Sequence, residues 1–357
     1  MDNPRSTPYD RVDADGPRKR PWCSTALAAQ PSHRGDFDVA IICALPLEYD
    51  AACLLFDEFY DEDGDLYGRA TGDLNTYTTG RIGNHSVVVA LLNRMGKASA
   101  AGNEILLGDV VIGKTIVQYD FGRQYPDKYM RKDAAGDNLG IPSKEVRNML
   151  VRFETERGRK RLQQSTAAFL KQLQANAARD KLGNKYQYPG TAEDKLFRSN
   201  YRHKHRTSPV CSCKQRLREK QAMEQEVTDG AQDPDIFVGS IASGDTVMKS
   251  GDDRDEIAAR ERVIGFEMEA AGVWEELPSI VVKGVCDYAD SHKHKRWQNF
   301  AAATAASAMK ALLEAWVHPD GLSRPAISPE VNVQVSVNNH HVLRTLLPAM
   351  LPNCDGH

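Results

Sequence analysis

Short apolar runs alternating with segments of helical spacing restrict the fold of this chain more than any other feature. VAIICA (39–44), SVVVALL (86–92), VIGF (263–266) and IVVKGV (280–285) are strand-length and largely free of polar alternation, the pattern of strands buried on both faces. Between them lie LEYDAACLLFDEF (47–59) after the stop at Pro46, GKASAAG (96–102), MEAAGVWEEL (268–277) and the Ala-rich NFAAATAASAMKALLEAWV (299–317), all read as helical. ILLGDVVIGKTIVQYDF (105–121) reads as strongly β. The order predicts an α/β fold with a largely parallel central sheet flanked by helices.

The domain occupies 36–317. Residues 1–35 are rich in Pro, Asp, Arg and Ser without periodicity and read as a disordered tail, and the Pro- and Asn-rich 318–357 as a loosely held one. About 143–234 is read as a helical, solvent-exposed basic insertion. Residues 121–235 hold 24 Lys and Arg against 15 Asp and Glu, which makes either a patch for phosphate or nucleic acid or a solvated face. PRKRP (17–21) is open to the same pair of readings, a nuclear localisation signal or a charged tail.

No apolar run approaches the ~20 residues needed to cross a bilayer, and the N-terminus has no signal-like apolar stretch. A net charge of -3 gives no general pull toward nucleic acid, so a nucleic-acid partner is not expected. Seven cysteines at scattered spacings fit free thiols in a reducing compartment. The expected location is the cytoplasm, with the nucleus as alternative.

Acidic residues follow the predicted strands. Glu267 and Glu269 lie just past 263–266, Cys286, Asp287, Tyr288 and Asp290 just past 280–285, and Glu48 four residues after the first strand. Ligands of open parallel sheets collect at the carboxyl ends of the strands, so these acids are expected to meet at one edge. Burial there would raise carboxyl pKa values and suit them to proton transfer; the alternative is simple capping of helix N-termini. SGD (243–245) is either a small-residue loop against a flat ligand or a turn. His203-x-His205 with Cys211-x-Cys213 has metal-ligating residue types, but its C-x-C spacing departs from zinc-site patterns, and no metal or other cofactor is expected.

ALPLE (44–48), GKASAA (96–101), GDVVI (108–112), SGD (243–245), FEMEAAGV (266–273) and GVCDYAD (284–290) occur in an order that resembles the nucleoside phosphorylase superfamily. That superfamily comprises purine and uridine phosphorylases and methylthioadenosine/S-adenosylhomocysteine nucleosidases. The likeness is closest to its fungal branch, through YDFGRQYPDK, SGDTVMKSG and KGVCDYADSHK, and covers 37 to about 316. The resemblance implies a mixed sheet, frequent homo-oligomers and cleavage of the N-glycosidic bond of purine nucleosides or nucleotides. It implies Asp287 as the acid that protonates the base, Glu48 as the activator of water, and Glu269 with Met268 as the ribose ligand. Ser243, Gly244, Val247, Gly96 and Phe266 would line the substrate pocket. Glu267 keeps only the capping explanation.

Hydrolysis is favoured because a carboxylate at Glu48 repels phosphate yet accepts a proton from water. Phosphorolysis is the alternative if Arg94 or Arg123 reaches the site. Two departures matter. Val247 stands where the nucleosidases carry a base-stacking aromatic. After Gly102 the chain passes at once to NEILLGDVVI, so a central strand and a pocket wall are missing, and residues 96–104 fall short of the ~10–12 that a parallel crossover needs. A ligand-binding or signalling module of the same fold is therefore the reading from a different class.

Overall fold

In a computed structural model of the chain the described residues are 30–61, 66–69, 73, 75–92, 99–100, 105–127, 129–132, 139, 142–203, 232–274, 278–293, 295–316 and, in backbone, 333–335. The first apolar run forms β1 (Val39–Cys43), buried along its whole length. Pro46, whose fixed φ suits the first helical turn, opens α1 (Pro46–Cys53). The helix ends there, and Glu58–Asp61 becomes strand β2 rather than the helical continuation expected to 59. β2, β3 (Thr76–Ile82) and β4 (His85–Leu91) form an antiparallel meander, and β4 lies parallel to β1.

The next strand, β5 (Ser99–Ala100), falls within the segment expected to open a helix. It pairs antiparallel with an edge strand at the far end of the sheet, where open backbone groups outcompete the helical preference of alanine. β6 (Val110–Gln118) follows, then a two-stranded ribbon of β7 (Gly122–Gln124) and β8 (Tyr129–Arg131).

Helices α2 (Lys144–Glu154) and α3 (Glu156–Arg179) start at Ser143 and Thr155, whose hydroxyls accept from the amides of Val146 and Gly158. Their helical character was expected; their exposure was not borne out. Val146, Leu150, Phe153 and Leu162 pack with Val110, Ile112, Ile236, Ile280 and Val282. Leu170, Leu173 and Ala177 share a core with Phe300, Ala302 and Ala303. Lys and Arg fill the outer faces, so a basic composition concealed a core-forming stripe. Residues 204–231 of the expected insertion lie outside the described residues.

β9 (Ile236–Ser243), α4 (Gly251–Glu261), β10 (Val263–Glu267), the short α5 (Ala271–Trp274), β11 (Ser279–Gly284) and α6 (Gln298–Ala315) complete the domain. Three residues expected in the loose tail form β12 (Val333–Val335), in parallel register with β1 on one side and β11 on the other. The ten-stranded order is β2-β3-β4-β1-β12-β11-β6-β9-β10-β5. β4-β1-β12-β11 and β6-β9-β10 are parallel blocks joined by the antiparallel β11–β6 ladder. The sheet is thus mixed, as the resemblance implied.

No helix among the described residues is long and apolar enough to cross a membrane.

Candidate active site

The antiparallel β11–β6 junction means that β10 and β11 run in opposite directions. The expectation that their carboxyl ends share one edge of a parallel sheet therefore fails. Their acids are related instead through a side chain that the sequence reading passed over, Lys283 of β11. Its Nζ donates to Glu269 Oε2 at 2.6 Å and lies 3.8 Å from Glu267 Oε2. All three residues are buried. Burial by itself would pull the Lys283 ammonium down, but Glu269, Glu267 and Glu48 together hold it above the ordinary lysine range.

Glu267 ends β10 and turns inward. Its carboxylate accepts from the amides of Glu269 and Ala270 at 2.9 Å, and the hydroxyl of Ser243 accepts from Ala271 N at 3.0 Å. The Glu267 bonds satisfy the two amides just before α5 and the Ser243 bond its first, which accounts for Glu267 as a cap. Burial, with the Glu269 charge beside it, pushes the Glu267 carboxyl up to about 7 against the pull of Lys283.

Glu269 differs. Its Oε2 accepts from Lys283 and, at 3.3 Å, from the amide of half-buried Met268. Its Oε1 is buried with no hydrogen-bond partner among the described residues. An unsatisfied buried carboxylate oxygen costs upwards of ~1–3 kcal/mol, so a donor brought by a ligand would find a strong acceptor.

Glu48 stands in the first turn of α1, its Oε2 accepting from Ala44 and Leu45 amides at 3.1 Å. Burial raises its carboxyl above the ordinary glutamate range; Lys283 opposes the rise and Glu269 adds to it. It lines a cavity of about 60 Å³ with Ile42, Cys43, Lys283, Gly284 and Cys286, roofed by Ala301 and Ala302 of α6. Such a space suits water and is well below the ~300–1,000 Å³ of ordinary ligand pockets.

Asp287 follows β11 and is held from several sides. Its Oδ1 accepts from Ala289 N at 2.9 Å and lies 3.1 Å from Lys293 Nζ, which also donates to Ser99 Oγ at 3.0 Å. Its carbonyl accepts from Ala100 N. The next carbonyl, of Tyr288, accepts from the buried Arg254 of α4 at 2.6 Å. Ala289 sits at φ 52, a left-handed conformation that an alanine adopts only when its surroundings impose it.

The structure thus brings Glu48 and Glu269 together around Lys283. Asp287 lies four residues beyond Lys283, beside Lys293 and outside the set that lines the Glu48 cavity. Phe266 is buried edge-on against Tyr119 at 5.6 Å. Gly244 is explained by its neighbours: a Cβ there would stand 2.6 Å from Asp120 Oδ2 and 2.7 Å from the Tyr119 ring. Val247 is 42% exposed on the surface. Arg123 is exposed on the β7–β8 ribbon. Gly96, Arg94, His205, Cys211 and Cys213 lie outside the described residues. Among the described residues no cluster of three or more His, Cys, Asp or Glu could hold a metal.

The one cue to Lys283 was its charge in the middle of the apolar IVVKGV; Lys293 and Ser99 carried no comparable signal.

No protein-family model matches the chain. A nucleotide-binding leucine-rich repeat (NLR)-like protein of Hyaloscypha variabilis is 29% identical over 89% of the chain, which spans 33% of that relative's length. The fold is similar to futalosine hydrolase of Helicobacter pylori strain 26695, with TM-score 0.47 and 14% identity, over 79% of this chain and 99% of that one. It is also similar to 5'-methylthioadenosine/S-adenosylhomocysteine nucleosidase from S. pneumoniae, with TM-score 0.44 and 18% identity, over 78% and 98% of the two chains. S-adenosylhomocysteine nucleosidase from Streptococcus pyogenes gives TM-score 0.45 and 18% identity over 80% and 99%.

Proposed function

We propose that the chain is a nucleoside phosphorylase-superfamily domain that hydrolyses the N-glycosidic bond of a purine nucleoside or nucleotide. The observation that carries this reading is the buried Oε1 of Glu269, which has no partner among the described residues. It is an acceptor awaiting donors, and the two hydroxyls of a ribose are donors.

Breaking the bond between C1′ and a base nitrogen leaves positive charge on the sugar and negative charge on the base. Glu269 beneath the ribose favours the cationic sugar. Asp287, entering the step as the carboxylic acid, donates its proton to N7 as the bond breaks, so the base leaves neutral, and Lys293 pairs with the carboxylate that remains. Water adds to C1′ and gives its proton to Glu48. A carboxylate whose proton affinity is raised by burial is the better general base near neutral pH. The products are the free purine and ribose or its 5′-substituted form, with no cofactor consumed.

The test is release of free purine from adenosine in phosphate-free buffer, followed by HPLC. Release is expected, unchanged by added phosphate; release that requires phosphate would favour phosphorolysis. Asp287→Asn should slow release ~10²–10⁴-fold, the range for a lost general acid, and an unchanged rate removes Asp287 from the mechanism.

A second reading, a binding module without turnover, is favoured by the small cavity beside Glu48 and by the NLR-like relative. Calorimetric binding of adenosine with no purine released would establish it.

A further inference from the structure

We propose that segment 191–203 is a clasp that positions Asp287, and that it does so by gripping the ring of His292. Asp287 takes its role from the nucleosidase reading, on which this assignment rests.

Asp287 stands on irregular backbone. β11 ends at Gly284 and α6 begins at Gln298, so neither element fixes the turn at 288–292. Its geometry must be imposed by side chains from elsewhere. The left-handed Ala289 within it has the same requirement.

Tyr288, Ser291 and His292 are all met by one stretch of chain. Tyr288 donates its hydroxyl to Asp194 Oδ1 at 2.6 Å, and Asp194 Oδ2 accepts from Leu107 N at 3.2 Å. Ser291 Oγ accepts from His203 N at 2.9 Å. The His292 ring is stacked on Phe197, with centroids 3.8 Å apart and planes 16° from parallel. Tyr201 lies parallel to it at 5.5 Å, and His203 is edge-on at 5.2 Å. The stretch is itself tied down. The Glu193 carbonyl accepts from Trp297 Nε1 at 3.1 Å, and the Glu193 carboxylate pairs with Arg296. Ser199 packs on the start of α4, where a Cβ on Gly251 would stand 2.7 Å from Ser199 Cα.

The surroundings of His292 show how it is held. It is 8% exposed, and among the described residues neither ring nitrogen has a hydrogen-bond partner. Asp290 Oδ2 stands 3.6 Å from Nδ1, and Asp290 Oδ1 accepts from the His292 amide instead. A buried imidazole whose nitrogens make no hydrogen bond acts through its faces. The ring is a flat handle on the turn, and the next residue, Lys293, is the one that pairs with Asp287. Phe197 therefore reaches the acid in two steps, through His292 and Lys293. Release of the grip would let Asp287 drift from the base nitrogen, and misplacing a reacting group lowers rate more than binding. His292, Phe197 and Tyr201 are thus positioning residues.

The test compares the full chain with Phe197→Ala, His292→Ala and His292→Phe, the last keeping a flat ring without nitrogens. Hydrogen exchange is read at the amides of Ala289 and Ala100, which donate to the Asp287 carboxylate and carbonyl. Both should exchange at least ~10-fold faster in the two alanine variants and close to the parent rate in His292→Phe. Unchanged exchange in Phe197→Ala, or acceleration shared equally by β1, would overturn the clasp. Purine release from adenosine is the second readout. In His292→Ala, kcat should fall ~10–10²-fold with KM unchanged, and His292→Phe should restore it. An unchanged kcat in His292→Ala, or a phenylalanine as damaging as the alanine, would overturn the positioning role. Exchange is read whether or not purine is released. A chain without nucleosidase activity would therefore sink that reading and leave the clasp to be decided by exchange.

Discussion

Glu267, Glu269 and Lys283 are buried and Glu48 beside them is half-buried, so that one ammonium faces three carboxyl groups. The carboxyl of Glu267 is raised to about 7 from an ordinary value near 4.5. A carboxyl with a raised folded-state pKa holds its proton longer when folded than when unfolded. Between about 4.5 and about 7 the native state therefore binds more protons, and stability falls as pH rises. Glu48, also raised, acts in the same direction. Thermal unfolding from pH 4.5 to 7.5 should show a midpoint falling with pH, and Glu267→Gln, which still accepts from the Glu269 and Ala270 amides, should flatten the slope. A slope unaltered by the substitution would mean that Glu267 does not titrate there. Lys283→Met should be strongly destabilising, ~3–5 kcal/mol in denaturant titration, because it leaves buried carboxylates without a counter-charge. The acids themselves were legible in the sequence as charges inside apolar motifs. Their pairing was not, since Lys283 is fourteen or more positions from any of them.

Strand and helix identities followed from periodicity wherever an element is buried and regular, as in β1, β4, β11 and α6. The reading failed where tertiary contacts outweigh local preference. Ser99 and Ala100 pair at an open sheet edge instead of entering a helix, and α2 and α3 turn an apolar stripe inward beneath a basic exterior. Two predictions belong to this scale. Leu173 of α3 is fully buried, so Leu173→Ala should cost ~2–5 kcal/mol in denaturant unfolding. A value under ~0.5 kcal/mol would restore the view of α3 as a solvated insertion. Gly284 ends β11 where a Cβ would stand 1.9 Å from the carbonyl oxygen of Ala301 in α6. Gly284→Ala must push the helix off the strand and should lower stability by ~1–3 kcal/mol or more; an unchanged melting midpoint would show that α6 packs further away than described.

For the whole molecule, the decisive relation is between two parallel blocks of sheet that run in opposite directions and a segment from beyond α6 that fills the centre of one of them. The cavity beside Glu48 is bounded by β1, β11 and α6, so a nucleoside bound there would contact all three. Adenosine is therefore expected to change hydrogen exchange in α6 and β11, and identical exchange with and without it would place any binding elsewhere. The sequence by itself determined that short buried strands would alternate with helices, that the sheet would serve an α/β domain, and that Glu48, Glu269 and Asp287 would follow strands. These are properties of local pattern, written in periods of two and of 3.6 residues. Only the tertiary structure decided that β10 and β11 oppose one another, that Lys283 joins the acids, and that Val333–Val335 lies at the centre of the sheet. Those depend on which backbone edges meet and which charges are buried together, and no local period records either.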